Sequence, residues 1–190
     1  MSKGWYEVVE FNARLTQGDL IFDCPIMTWK SDPEQIIIKK PRSETLKSAG
    51  NIVSIDAIVM TQACDLEQNK VKNAILCPHY PIENIKYLWE QTMHQKGQNP
   101  KLSSWDAYFK KLCEGAFTNL CVIKSDDNES VPISHKVVDF SEVHTLPRDF
   151  LEFILEEKQQ PRLRLLSPYR EYLSQVFAKF FMRIGLPISL

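Results

Sequence analysis

Apolar residues in this chain follow two rhythms. Up to Phe140 most of them fall in short strand-like bursts. In one internal stretch, and again after Leu146, they recur every three or four positions. The bursts at Leu20–Asp23, Gln35–Lys39, Ile52–Thr61, Lys72–Pro78, Asn119–Lys124 and Val131–Phe140 predict strands. Tyr6–Phe11 predicts a short first strand or an extended arm. Gly18-Asp19 marks the turn into Leu20, Cys24-Pro25 ends that run, and Trp29 to Pro33 reads as a polar connection. Pro41 to Gly50 is loop-like, with a breaker at each end. Ile52–Thr61 is almost continuously apolar, which predicts burial on both faces.

The helical rhythm appears four times. Ile85, Leu88, Trp89 and Met93 form one stripe; Leu102, Trp105, Tyr108, Phe109 and Leu112 form a second across Gly97–Pro100. Together they predict a helical hairpin, residues 81–115, inserted between strands of a single domain spanning residues 1–190. After Leu146-Pro147 a short helix carries Phe150, Leu151, Ile154 and Leu155 on its apolar side. Leu163–Leu166 predicts a strand. The last helix places Tyr169, Tyr172, Leu173, Val176, Phe177, Phe180, Phe181 and Ile184 on one face, with Ser167 as N-cap, Pro168 at the first helical position, and Gly185 and Pro187 as a stop. Strands without regular helical crossovers predict an α+β fold: a bent antiparallel sheet or small barrel with a helical insertion and a C-terminal amphipathic helix.

The chain has 190 residues, a formal net charge of −1 and five cysteines. Such balance argues against broad electrostatic attraction to nucleic acid. No segment is long and apolar enough for a signal or a bilayer span, so the expectation is a cytoplasmic protein with reduced thiols and no membrane partner. Glycine-rich phosphate loops, HExxH helices and GxSxG elbows are absent from the sequence, and no cofactor is expected.

Two groups of residues could carry chemistry. The first is the strand end Thr61, Gln62, Cys64 and Asp65, where an apolar run opens into a polar tip. Cys64 as a nucleophile needs a base, and His79 is the nearest in sequence; Cys64 as a packed small side chain, with Asp65 organising a turn, is the plainer reading. Cys24, Cys64, Cys77 and His79 form the alternative zinc set, without the close pairs usual for such sites. Cys113 and Cys121 read as core, and His135 and His144 as surface or strand-edge residues. The second group is basic: Arg162, Arg164 and Arg170, with Ser174 and Lys179, suited to an anion or a partner carboxylate. Alternation with Leu163 and Leu165 puts Arg162 and Arg164 on one strand face. Ion pairs of these arginines with Glu171, Glu156 or Glu157 are the competing account.

Gly18-Asp19-Leu20-Ile21, followed by Ala57-Ile58-Val59-Met60-Thr61, resembles the opening of PemK/MazF-like small barrels. Uncharacterised bacterial proteins with a Thr/Ser-Gln-x-Cys-Asp strand end are also similar, and there the resemblance extends to a terminal segment like Leu166 to Gln175. The resemblance implies a small barrel. The toxin ribonucleases of that family carry Gly-Ser-Glu-Gln and Arg-Pro between the two strands, whereas residues 24–56 here carry neither. The barrel is therefore expected and the endoribonuclease activity is not. The functional expectation is a non-catalytic binding or regulatory module of a bacterial stress or defence system, acting through a protein partner. An RNA-binding or endoribonuclease toxin-like barrel is the first alternative, and a thiol or zinc site around Cys64 the second.

Overall fold

The computed structural model describes residues 4–29, 49–125 and 134–182. Its elements run β1 (Tyr6–Val9), β2 (Leu20–Trp29), β3 (Gly50–Val59), α1 (Ala63–Glu67), β4 (Asn73–Pro81), α2 (Ile82–Gln95), α3 (Leu102–Cys113), β5 (Leu120–Ile123), β6 (Lys136–Asp139), β7 (His144–Pro147), α4 (Arg148–Lys158), β8 (Arg162–Leu165) and α5 (Tyr169–Phe181). The fold is mixed α+β with antiparallel strand pairing. One sheet follows the order β2-β3-β4-β6-β5, with β7 pairing the first part of β4; β1 and β8 form a separate ribbon. Helices α2 and α3 lie between β4 and β5, where the insertion was expected.

Two apolar cores flank the sheet. Leu20, Ile58, Cys77, Val138 and Phe140 face one core, which the β1–β8 ribbon and Leu173 of α5 complete. Ile21, Ala57, Val59, Ala74 and Leu76 face the other, beneath Leu66 of α1 and Leu151 and Leu155 of α4. Successive residues Ala57, Ile58 and Val59 thus serve opposite cores, which explains their unbroken apolar run. Burial on both faces holds only for this inner part of β3.

The ribbon touches the main sheet on both sides. Asp19 forms an isolated bridge with Arg164, and the Tyr6 hydroxyl donates to the Lys124 carbonyl just past β5 at 3.0 Å. Among the described strands the backbone ladder does not close into a ring.

Several boundaries differ from expectation. β2 continues through Cys24-Pro25 to Trp29, because a bulge between Ile21 and Cys24, with Asp23 at φ 50°, absorbs the irregularity while pairing to β3 resumes. Trp29 is therefore strand, paired with Gly50. The solvent face of this hairpin holds Met27, Trp29 and Ile52, exposed by 66%, 63% and 77%. β6 is shorter than Val131–Phe140; residues 131–133 lie outside the described residues, as do Gln35–Lys39, Ile184, Gly185 and Pro187. Leu146-Pro147, read as the approach to a helix, ends strand β7, which begins at His144. Cys113 is exposed rather than core, while Cys121 is buried.

Helix α5 starts at Tyr169 with Pro168 in the capping position and no side-chain cap, so Ser167 is not the N-cap. Leu173 is buried, and Tyr169, Val176, Phe177 and Phe180 pack against the core. Tyr169 stacks on Trp5 with ring centroids 3.8 Å apart. Tyr172 and Phe181 face outward, so the buried stripe is narrower than the aromatic pattern. Truncating Leu173 to Ala should cost about 2–5 kcal/mol through lost burial and a residual cavity. Phe181→Ala should cost less than about 1 kcal/mol. Urea midpoints of the two variants test this; equal losses would mean that Phe181 anchors the helix as strongly as Leu173 does.

Candidate functional site

Gly18 and Asp19 form the seam between sheet and ribbon. Gly18 N–H donates to Val59 O at 2.8 Å, and Gly18 O accepts from Leu165 N–H at 2.9 Å. Gly18 has φ +84°, and a Cβ there would lie 3.1 Å from the Leu165 Cβ. Both the torsion and the close approach favour glycine. Asp19 O accepts from Val59 N–H at 2.9 Å, while its fully buried carboxylate turns toward β8.

Arg162 Nε donates to Asp19 Oδ2 at 2.8 Å, and Arg164 Nε to Asp19 Oδ1 at 2.6 Å. The remaining Arg162 N–H groups reach the Glu10, Phe11, Ala13 and Arg14 carbonyls. All five of its donors are thereby used. Arg164 Nη2 adds bonds to Arg14 O at 2.7 Å and to Asp19 Oδ2 at 3.1 Å. Desolvation works against the Arg164 charge, but Asp19 outweighs it and its pKa is raised. The two arginines do share one face of the strand. Their partner is Asp19 rather than Glu156 or Glu157, so the expected anion site is filled from within the chain.

The Thr61–Asp65 strand end lies beside the same seam. Met60 N–H donates to Ile75 O at 2.8 Å, and the Thr61 hydroxyl accepts from Ile75 N–H at 2.6 Å. Thr61 thus extends the β3–β4 ladder with its side chain. The Gln62 carbonyl accepts from Asp65 and Leu66, opening α1, and Gln62 Nε2 donates to Ser174 Oγ at 3.0 Å. Gln17 Nε2 donates to Met60 O at 3.0 Å and to the same Ser174 hydroxyl at 3.3 Å. Ser174 therefore joins the two groups that were read apart in the sequence. Arg170 pairs with its neighbour Glu171 at 3.0 Å, as the competing account supposed. Lys179 is exposed on the same helix and makes no ion pair among the described residues.

The thiol readings find no geometry. Cys64 is exposed, so it does not pack as core; its Sγ donates to Asp65 Oδ1 at 3.8 Å, and it makes no contact with His79 among the described residues. His79 is buried, its ring edge-on to Phe22 at 5.5 Å, and neither ring nitrogen has a hydrogen-bond partner among the described residues. Burial, reinforced by Lys136, lowers its pKa to about 3. Cys24 and Cys77 lie in opposite cores. Burial pushes the Cys24 thiol up to about 11, and the Cys77 and Cys121 thiols to about 12, so they stay protonated and unreactive at neutral pH. The alternative zinc set is thus scattered, and no cluster of three or more His, Cys, Asp or Glu suited to a metal occurs among the described residues.

Asp19 and Gln17 are the contributors missing from the candidates read in the sequence. The signal for Asp19 was present: two arginines on one face of an otherwise apolar strand need a buried counter-charge. Gln17 carried no comparable signal. The cluster can hold strands together and present an amide–hydroxyl surface. No helix among the described residues is long and apolar enough to cross a membrane. Comparison of the chain with protein-family models, with curated proteins and with solved structures found no match.

Proposed function

We propose that this chain is a non-catalytic protein-binding module. The observation that carries the reading is the apolar outer face of the β2–β3 hairpin, where Met27 and Ile52 pair across the strands and Trp29 lies two residues beyond. Large apolar side chains clustered on solvent mark contact surfaces, and tryptophan is prominent among residues that dominate binding. The RNA alternative drew on the small-barrel resemblance and on the basic strand–helix segment, of which Arg162 and Arg164 are spent on Asp19. We also read the sheet and ribbon as a barrel whose seam is side-chain and single-bridge contacts, in keeping with the small-barrel resemblance. That resemblance is the reason to seek the partner in a bacterial stress or defence system.

The test is affinity purification of the full chain from its native cells, beside Trp29→Ser and Ile52→Ser. The expected result is a stoichiometric protein partner lost from both variants, with melting temperatures within a few degrees of the parent. Retention of the partner by both, or recovery of RNA instead of protein, would overturn the reading.

A further inference from the structure

A cleft of about 580 Å³ opens between α2 and the segment that follows β6. Its volume is in the range of ligand-binding clefts. Asn84, Tyr87 and Leu88 share one face of α2 at helical spacing and line its wall, with Ile85 beside them; Tyr80 of β4 forms the floor. Tyr87 and Leu88 are 60% and 59% exposed, and α2 has no fully buried residue, so this face of the helix is not spent on the core.

Asp139 and Glu142 form the opposite rim, and no lysine or arginine is among the lining residues. Asp139 Oδ1 is held by Ser141, through its N–H at 2.8 Å and its hydroxyl at 2.6 Å. Asp139 Oδ2 has no hydrogen-bond partner among the described residues. The two carboxylates are felt at the floor of the cleft: burial raises the Tyr80 pKa, and the charges of Glu142 and Asp139, with a hydrogen bond to Glu142, raise it further.

We propose that this cleft docks a basic side chain of a protein partner, a lysine or arginine flanked by an apolar residue. The cation meets the tyrosine faces and the carboxylates of Asp139 and Glu142, while the apolar neighbour covers Leu88 and Ile85. A nucleic-acid backbone is the wrong occupant, since its phosphates would face two carboxylates. The proposal rests on the protein-binding reading for the class of partner and adds a second, charge-selective contact to it.

The test is selection of a random phage-displayed peptide library on the full chain, followed by titration of the tightest peptide, synthesised with a fluorophore. Selected peptides should carry Lys or Arg beside an apolar residue. Binding should weaken with added salt, and about tenfold or more in each of Tyr87→Ala and Glu142→Gln, with unchanged melting. Replacing the peptide's basic residue by norleucine should have the same effect. Failure to select any peptide, selection of peptides lacking basic residues, or binding indifferent to both variants would overturn the cleft. If Trp29→Ser abolishes binding while the cleft variants do not, the cleft assignment falls and the protein-binding reading survives.

Discussion

Asp19→Ala should lose about 3–5 kcal/mol of stability, one of the two largest effects expected of a single substitution here. The carboxylate is fully buried and is shared by Arg162 and Arg164, of which Arg162 is itself buried. Removing it leaves the buried Arg162 without a counter-charge and Arg164 with only the half-exposed Glu7 at 4.0 Å. It also takes an acceptor from Thr16 N–H, now bonded at 3.1 Å. The pair is not expected to be more stabilising than a well-packed apolar substitute would be; the loss comes from breaking it on one side only. Arg170→Ala, whose partner is an exposed neighbour, should shift stability by less than about 1 kcal/mol. Denaturant midpoints of both variants decide the matter. A midpoint for Asp19→Ala close to the parent's would mean that the seam is not held by this charge.

The second large effect is a loss of stability in acid that traces to His79. The folded protein keeps this imidazole neutral, with a pKa of about 3 against an ordinary 6.5. Below pH 6.5 the unfolded chain takes up a proton that the folded one refuses, so stability is complete above that value and falls as the pH drops toward 3. The linkage is worth roughly 1.4 kcal/mol per pH unit, on the order of 5 kcal/mol across the whole window. His79→Leu should remove this slope while keeping an apolar side chain opposite Val138. Unfolding free energies of parent and variant should agree in shape above pH 7 and diverge by about 3 kcal/mol near pH 4.5. Parallel curves across the window would show that the histidine can be protonated in place.

Most strands and helices were legible in the sequence because their apolar spacing reflects burial that the structure realises. Ala57 to Val59 is the clear case, one run supplying two cores. The errors have common causes. Pattern alone cannot show that a bulge carries a strand through Cys24-Pro25, nor that β7 pairs with a part of β4 left open by β6. It also overstated the buried width of α5, because aromatic residues at helical spacing look alike whether they pack, as Phe180 does, or face solvent, as Phe181 does. The candidate site was half legible. Gln62 and Ser174 were both singled out, but their meeting depends on the tertiary path, and Asp19 was noticed as part of a turn rather than as the counter-ion of the arginines.

The Asp19 seam also sets an order of events during synthesis. Asp19 and Arg162 are 143 residues apart, and the β1–β8 pairing spans a similar distance. Such non-local closure raises contact order and slows folding. As the polypeptide leaves the ribosome, the β2–β3–β4 portion can assemble early, but β1 has no strand to pair with and the carboxylate no cation until β8 emerges. A nascent chain halted before Arg162 would hold Asp19 at a position built for charge neutralisation with nothing to neutralise it. Completion of the fold is thereby tied to translation of its penultimate described element, the strand that brings both arginines at once.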